Sequence, residues 1–277
     1  MKSIIQTIRE RSSWRTYDES RPVEAELREE IMKFIKSNKK TIFGTNVRFE
    51  LIDTTEAQRD ELKKLGTYGI IRGASLFLAG TAEKKENSLV DFGYAMEKNI
   101  LFISDKGLGT CWMGVTFNRN GYSEKMKIKD DEFVAAVSPV GHHKKIRRLK
   151  DNAVRWAAKS WKRKNFEDLF FDGDFGKKLE RDNADPYRYC LESVRIAPSA
   201  SNKQPWRIVK DGLNAHLYLE KTHGYKFSDG QKIDMGIAMC HFELVAREQG
   251  LPGEWKAGNP EIESGGREYI STWKSGI

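Results

Sequence analysis

Two long segments of the chain carry apolar residues at three- and four-residue spacing, which predicts an α-helix in each. One segment runs from Asp91 to Gly107 and the other from Asp234 to Gly250. A glycine directly after the last apolar positions is typical of a helix C-terminus, because it accepts the left-handed backbone that ends a helix. The pattern therefore predicts two helices of similar length, each ending at a glycine.

The two helical segments also share several residues at one constant offset. Asp91 and Asp234 are 143 positions apart (234 − 91), and the same offset pairs Trp112 with Trp255 without a gap. The other pairs at this offset are Gly93 with Gly236, Met96 with Met239, Leu101 with Leu244, Gly107 with Gly250, and Leu108 with Leu251. A match of this length predicts a duplicated unit. Two such copies can pack about a pseudo-twofold axis, as the subunits of a homodimer do.

Each copy is preceded by a weaker pattern of one helix, a loop and one strand. The helices are predicted at 23–37 and 186–197, and the strands that follow them at 47–52 and 206–210. Apolar segments with turn-rich flanks predict four further strands, at 76–80, 133–140, 213–219 and 268–273. Each half is then a small sheet flanked by helices, and the predicted fold class is α+β.

The junction between the halves is predicted at 168–176, a segment rich in Asp, Gly and Phe. Asp and Gly favour turns and connections, and a helix predicted from Asp151 leads toward this segment. We therefore expect one half at residues 1–170 and the other at 171–277.

Composition is typical of a globular protein. Of the 277 residues, 39% are hydrophobic and 32% are charged, which is too apolar a balance for disorder. No apolar run approaches the roughly 18 residues that a membrane-spanning helix needs, and the N-terminus lacks the pattern of a signal peptide. We expect a cytoplasmic protein without a membrane partner.

The charge balance is basic. The formal net charge is +8, with clusters of Lys and Arg at 144–150 and 159–164. Such an excess suits nucleic acid, an anionic cofactor or solubility alone. Because the sequence has no groove-binding or base-stacking motif, we expect no nucleic-acid partner.

Patterns of metal ligands and of hydrolytic residues are missing. Cys111, Cys190 and Cys240 lie far apart and form no CxxC pair, which argues against both disulfides and a zinc site. The histidines of the pair 142–143 are adjacent rather than spaced as metal ligands, so we expect no metal. No serine lies in a nucleophile-elbow sequence.

The N-terminal string RSSWRTY, residues 11–17, places two arginines around two serines. Guanidinium groups bind phosphate oxygens through paired, charge-assisted hydrogen bonds, and serine hydroxyls add neutral donors. The string therefore indicates a phosphate-binding segment, with a solvated turn as the alternative.

A second distinctive string, APSASNKQPWR, occupies residues 197–207 between a predicted helix and a predicted strand. Prolines fix the backbone, small residues allow a flat ring to approach, and Asn and Gln offer both donors and acceptors. This chemistry suits the edge of an isoalloxazine ring. The alternative is a loop whose prolines and serines only end the helix.

Both strings resemble the nitroreductase family, whose members carry an RSxRxF-like string near the N-terminus and an APSAxNxQPW loop after the following helix. The helix 91–107 and the segment GLGTCWMG also match, so the resemblance covers most of the chain. It implies an α+β sandwich dimer with FMN at the subunit interface. Together with the duplication, it suggests the single-chain pseudo-dimer of the TM-nitroreductase type, for which we expect a monomer.

The resemblance assigns cofactor contacts position by position. Arg11, Ser12 and Arg15 match the phosphate-binding string, and Met113–Gly114 matches the place where a backbone amide faces flavin N5. The residues that match the ring-binding loop are Pro198, Ser199, Ala200, Asn202 and Gln204.

A further arginine is implied at the phosphate. Arg163 lies in the basic run 162–169, which resembles an RKPL-like segment whose arginine binds the same phosphate in the family. Arg147 is the rival for this role, and a solvated helix face is the alternative for either run.

The implied reaction is the transfer of hydride from NAD(P)H through FMN to a flat, electron-poor acceptor such as a nitroaromatic or a quinone. The cofactor carries the redox chemistry, so we assign no catalytic acid or base. The same scaffold also suits a flavin-dependent dehalogenase, or a module that binds FMN without turnover.

The two halves depart from the family pattern in complementary ways. Alignment of their helix-to-strand loops puts Lys39 opposite Pro198 and Phe43 opposite Asn202, so the first half has no ring-binding loop. In the second half the acidic stretch 182–186 stands in place of the arginine–serine string, and its carboxylates would repel a phosphate. We therefore expect one composite site, and one FMN, per chain.

Overall fold

The computed structural model describes residues 2–55, 70–114, 117–144, 159, 161–225 and 230–276. Contacts between residues divide the chain into two compact units. The first consists of Glu10–Ala158, and the second of Lys2–Arg9 together with Lys159–Ile277. The boundary between the two units thus lies between residues 158 and 159, whereas the sequence predicted a boundary between residues 170 and 171. The helix predicted from Asp151 lies outside the described residues.

A short helix, α1 (Ile4–Glu10), begins the chain and belongs almost entirely to the second unit. Its first amides are capped by a carboxylate, because the Ile4 N–H donates to Oε1 of Glu248 at 2.6 Å. A carboxylate at this end of a helix satisfies unpaired N–H groups and complements the helix dipole. Ile8 lines a small cleft together with Ile196. The helix α1 was not predicted, since its seven residues carry too little periodic pattern.

The first unit is built on a four-stranded antiparallel sheet with the strand order β1-β2-β4-β3. Its elements are α2 (Ala25–Ser37), β1 (Val47–Asp53), β2 (Leu76–Glu83), α3 (Ser88–Asp105), β3 (Gly109–Thr110), α4 (Arg119–Met126) and β4 (Glu132–Gly141). The helix α3 packs on β2, all of whose positions are buried. The approach is close, because a Cβ on Gly80 would lie 2.6 Å from the ring of Phe92.

The second unit is built on a five-stranded sheet with the order β5-β6-β7-β9-β8. Its elements are β5 (Phe170–Asp172), α5 (Arg188–Arg195), β6 (Trp206–Asp211), β7 (Asn214–Leu219), α6 (Gln231–Glu248), β8 (Gly253–Lys256) and β9 (Glu268–Ser275). The edge strand β5 is parallel to β6, and the other neighbours are antiparallel. The helices α5 and α6 pack together, and α6 also contacts the sheet.

The two sheets share a strand order. The last four strands of the second sheet, β6-β7-β9-β8, repeat the connectivity of β1-β2-β4-β3. A register shift follows Gly80 in the β2–β4 ladder and Leu217 in the β7–β9 ladder. Gly80 pairs with Phe49, the third residue of β1, and Leu217 pairs with Ile208, the third residue of β6. Each unit therefore has the same four-strand topology with an irregularity at a matching place.

The long helices match as well. Both α3 and α6 contain 18 residues, and their first residues, Ser88 and Gln231, are 143 positions apart (231 − 88). Gly107 and Gly250 follow them with φ values of 79° and 69°. This left-handed backbone is open to glycine at no steric cost, as expected at a helix C-terminus.

Most elements predicted from the sequence are confirmed, and the fold class is α+β. A three-residue strand, β5, lies within the segment 168–176 that the sequence predicted as the junction. Phe170 and Phe171 are buried in the second unit, and their burial outweighs the turn-forming Asp and Gly residues around them. The basic run before β5 is hydrogen-bonded to the second unit through Gln204. The boundary between the two units therefore lies before residue 159.

Candidate functional site

In the first unit, the N-terminal string lies beside the segment that follows α3. Ser13 forms a parallel bridge with Thr110 of β3, and the Trp14 N–H donates to the Thr110 carbonyl at 2.9 Å. The Trp14 ring stacks on His143 with ring centroids 3.6 Å apart. The segment carrying Arg11–Arg15 is thereby fixed next to the segment leading to Met113 and Gly114.

Arg11 has hydrogen-bond donors that the described part of the protein leaves unused. Its Nε and Nη1 atoms are buried and have no hydrogen-bond partner among the described residues. A buried guanidinium N–H without an acceptor is costly, and the cost is removed when an anion binds. Ser12 and Arg15 lie in the same segment, and the Arg15 carbonyl accepts a hydrogen bond from the Arg72 N–H at 3.0 Å.

Met113 and Gly114 lie where the chain leaves the sheet. The buried Met113 exchanges two backbone hydrogen bonds with Val137 of β4, at 2.9 and 3.0 Å. Among the described residues the space beside Gly114 is open, since a Cβ built there meets none of their atoms within 4 Å. The Gly114 carbonyl accepts a hydrogen bond from Arg119 Nη2 at 2.8 Å, and Nη1 of the same guanidinium donates to the Val134 carbonyl at 2.6 Å. The Gly114 backbone is therefore both accessible and held in place.

In the second unit, the loop of residues 198–204, which the sequence predicts to contact the flavin ring and which we call the ring-binding loop, has an unusual backbone. Ser201, Asn202 and Gln204 have positive φ values of 49°, 55° and 50°. Left-handed backbone at residues other than glycine costs about 1 kcal/mol or more at each position. Such a conformation persists only when surrounding contacts fix it, and the loop has several.

One set of contacts joins the loop to the basic run. Arg163 Nη1 donates to Asn202 Oδ1 at 3.0 Å, and its Nη2 donates to the Ile196 carbonyl at 3.1 Å. The Asn202 Nδ2 donates to the carbonyls of Lys159 and Lys162 at 2.8 and 2.9 Å. The side chains of Arg163 and Asn202 therefore bind each other's segments.

Gln204 makes a second link to the basic run. The Lys164 N–H donates to Gln204 Oε1 at 2.9 Å, and the Gln204 N–H donates to Ser199 Oγ at 2.9 Å, which closes the loop on itself. Burial and the nearby charge of Arg207 lower the pKa of the Lys164 ammonium. The loop thus lies beside a group of cations, as a site for an anionic ligand requires.

A buried carboxyl group fixes the other side of the loop. Asp234, the fourth residue of α6, is 3% exposed, and its Oδ1 accepts a hydrogen bond from the Ala200 N–H at 3.0 Å. Burial raises the pKa of Asp234 to about 8, and the Ala200 hydrogen bond opposes this shift. At pH 7 the carboxyl group is therefore mostly neutral.

The structure brings the predicted site residues together in two groups. The first contains Arg11, Ser12, Arg15, Met113 and Gly114 in the first unit, and the second contains Arg163, Pro198, Ser199, Ala200, Asn202 and Gln204 in the second unit. Arg147, the rival of Arg163, lies outside the described residues. Asp234 was not predicted as a contact of the loop, although its match with Asp91 was a signal in the sequence.

Within the described ranges, no group of three or more His, Cys, Asp or Glu side chains is placed to hold a metal ion. None of the described helices combines the length and apolar character needed to cross a membrane.

A protein-family model described as "Putative TM nitroreductase" matches residues 3–246 of the chain. Among solved structures, a "putative nitroreductase" of Thermotoga maritima MSB8 is similar over 98% of this chain and 92% of its own, with 20% identity and a TM-score of 0.62. No curated protein matches the chain significantly. The Thermotoga structure extends the likeness in fold to nearly the whole chain.

Two other solved structures are similar to about half of the chain. A nitroreductase family protein of Clostridium novyi NT covers 52% of this chain and 87% of its own, with 22% identity and a TM-score of 0.43. An FMN-dependent nitroreductase of Clostridium difficile R20291 covers 53% and 93%, with 20% identity and a TM-score of 0.39.

Proposed function

Because the chain belongs to the TM nitroreductase family, we propose that it is an FMN-dependent oxidoreductase that uses NADH or NADPH to reduce a flat, electron-poor acceptor. Nitroaromatics and quinones are the acceptor classes that fit this chemistry. The observation that carries the proposal is the unused pair of donors on Arg11, at the position where the family resemblance puts the FMN phosphate.

The residues of the first unit fit the cofactor in two respects. Arg11 offers Nε and Nη1 to phosphate oxygens, and Ser12 and Arg15 extend the same segment with a hydroxyl and a second guanidinium. The open space beside Gly114 allows a planar ring to approach the backbone. When bound, FMN supplies the hydride chemistry, while the protein supplies position, hydrogen-bond donors and exclusion of water.

The residues of the second unit support a contact to the ring. The loop 198–204 has a fixed, strained backbone and lies next to cationic side chains. Both terminal nitrogens of Arg163 already donate to the protein, to Asn202 and Ile196. We therefore assign to Arg163 the roles of holding the loop and adding positive charge near the phosphate, with Arg147 as the rival for direct contact.

We further propose that both segments contact the same FMN and that the two units descend from one duplicated ancestor. The shared strand order, the matching register shifts and the equal helices at an offset of 143 support the duplication.

The test is reduction of the purified protein under anaerobic conditions. Protein reconstituted with FMN is mixed with NADH or NADPH, and the flavin absorbance is followed before and after addition of a quinone. Bleaching by either nicotinamide, followed by reoxidation by the quinone, is the expected result. If neither nicotinamide reduces the bound flavin, the protein is an FMN-binding module without this activity. Failure to bind FMN would refute the proposal entirely.

A further inference from the structure

Asp234 is a buried acid that the proposed chemistry does not use. One oxygen, Oδ1, accepts the hydrogen bond from Ala200 at 3.0 Å. The other, Oδ2, is buried and has no hydrogen-bond partner among the described residues. The carboxyl group is therefore committed to the ring-binding loop through a single backbone amide.

The corresponding acid of the first unit is satisfied in full. Asp91 is the fourth residue of α3, as Asp234 is of α6. Its Oδ1 accepts hydrogen bonds from the N–H groups of Ile42 and Phe43 at 2.7 and 2.9 Å. Its Oδ2 accepts from the N–H and the hydroxyl of Thr45 at 3.0 and 2.8 Å. In each unit, an acid at the same helix position thus holds the loop that enters the first long strand of the shared topology.

The difference between the two acids follows the difference between the two loops. The first unit's loop makes four hydrogen bonds to Asp91 and lacks the ring-binding sequence. The second unit's loop makes one, at the residue that precedes its two consecutive left-handed residues, Ser201 and Asn202. The Ala200 amide is therefore the point at which α6 sets the position of the strained turn.

We propose that Asp234 is a positioning residue of the flavin site, which fixes the ring-binding loop through the Ala200 amide, whereas Asp91 only stabilises the first unit. This inference rests on the proposed function, since it assigns FMN to the loop. The carboxyl group acts through the backbone and does not touch the cofactor.

Because the Asp234 carboxyl group is mostly neutral, a neutral side chain of the same shape is expected to preserve its contact with the loop. Desolvation and the Ala200 hydrogen bond are the two influences on its pKa, and no charged side chain among the described residues contributes. An asparagine keeps the Oδ1 acceptor and has nearly the same shape as a neutral aspartic acid. Asp234→Asn should therefore retain the contact, and Asp234→Ala should lose it.

The experiment combines hydrogen exchange of the apoprotein with FMN titration of the same samples. For Asp234→Ala we expect amide exchange in residues 198–204 to be at least about tenfold faster than in the wild type, and the FMN dissociation constant to rise by about tenfold or more. Asp234→Asn should lie within about threefold of the wild type in both. Asp91→Ala, the matched control, should lower the unfolding temperature and leave the FMN affinity of the folded protein unchanged.

A second variant covers the case in which Asp234→Ala does not fold. Ala200→Pro removes the N–H that Asp234 accepts and leaves the acid in place. Ser199 is extended, with φ −145° and ψ 159°, and Ala200 begins a 3₁₀ turn, so a proline fits the backbone there. We expect Ala200→Pro to weaken FMN binding by about tenfold as well.

Three results would overturn the inference: unchanged exchange of the loop in Asp234→Ala, faster exchange without loss of FMN affinity, or full affinity in Ala200→Pro. The wild type separates failure of this inference from failure of the proposed function. If the proposed function is wrong, the wild type takes up no FMN in the same titration, whereas the hydrogen exchange of the loop can still be measured.

Discussion

Asn202 Oδ1 accepts a hydrogen bond from the Arg163 guanidinium at 3.0 Å, between residues 39 positions apart. The basic run and the ring-binding loop, which the sequence suggested as separate contacts to a cofactor, are therefore joined by their own side chains. Removal of either partner disturbs both segments. The consequence is that a variant at Asn202 affects the folded apoprotein as well as the flavin.

We expect Asn202→Ala to lower the free energy of unfolding of the apoprotein by about 1–3 kcal/mol, because four side-chain hydrogen bonds of about 0.5–1.5 kcal/mol each are lost and the segments partly relax. FMN retention during gel filtration should fall at the same time. Lys39→Ala, at an exposed position of the first unit's loop, is the control and should change neither property. Equal effects of the two substitutions would contradict a role specific to the ring-binding loop.

Arg11→Ala separates binding from stability. The substitution removes two buried donors that lack a partner among the described residues, so the apoprotein should unfold at the same temperature or slightly higher. FMN affinity should fall by about tenfold or more, because a charge-assisted contact to phosphate is lost. Fluorescence titration with FMN checks the affinity.

The control for Arg11→Ala is Arg21→Ala, which removes an arginine whose side chain is 61% exposed and paired with Glu24 at 3.7 Å. We expect this variant to bind FMN with unchanged affinity, since a surface ion pair contributes little. If the two variants bound FMN alike, the phosphate would lie elsewhere.

The buried acid Asp234 predicts a pH dependence of stability. Its pKa is raised from 3.8 to about 8 in the folded protein, so between these values the native state holds a proton that the unfolded chain has released. The stabilisation is fully present below pH 4 and is lost as the pH rises to about 8, with a slope of up to about 1.4 kcal/mol per pH unit. Asp234→Asn should reduce this slope and be more stable than the wild type at pH 8. Denaturant unfolding at several pH values checks the prediction, and identical pH profiles would contradict it.

Gly114→Ala tests the open space at the position proposed to face flavin N5. A Cβ at Gly114 meets no atom of the described part of the chain within 4 Å, and Gly114 is not among the residues with positive φ. The apoprotein should therefore be as stable as the wild type, or more stable by about 0.4–1 kcal/mol. FMN affinity should fall, because the added methyl group occupies the space of the ring. Gly230→Ala also has open space around its Cβ, and as the control it should leave the affinity unchanged.

The sequence predicted the parts of the fold that have a strong periodic pattern. The helices α3 and α6 and the glycines that end them, Gly107 and Gly250, follow from apolar spacing and the C-terminal signal. The strand β5 was not predicted, because Asp and Gly around Phe170 indicate a turn and because its ladder is formed with β6, a strand distant in the sequence. The residue pattern of a short segment does not show which distant strand will pair with it.

The site was predictable as a set of residue types and only partly as a set of contacts. The string at Arg11 and the loop at Asn202 were identified by their composition, whereas the bond between Asn202 and Arg163 depends on a turn that brings distant segments together. Asp234 was marked by its match with Asp91, but its role depends on the backbone of Ala200, which no side-chain pattern reveals. Contacts between side chain and backbone leave little trace in a single sequence.

The most direct test of the central claim is the number of FMN molecules bound per chain. Protein is saturated with FMN, separated from free flavin and denatured, and the released FMN is compared with the protein concentration from amino-acid analysis. We predict about one FMN per chain, because the duplication we propose leaves two halves with complementary segments that together supply one site. Two FMN per chain would contradict the composite site, and none would contradict the flavin assignment.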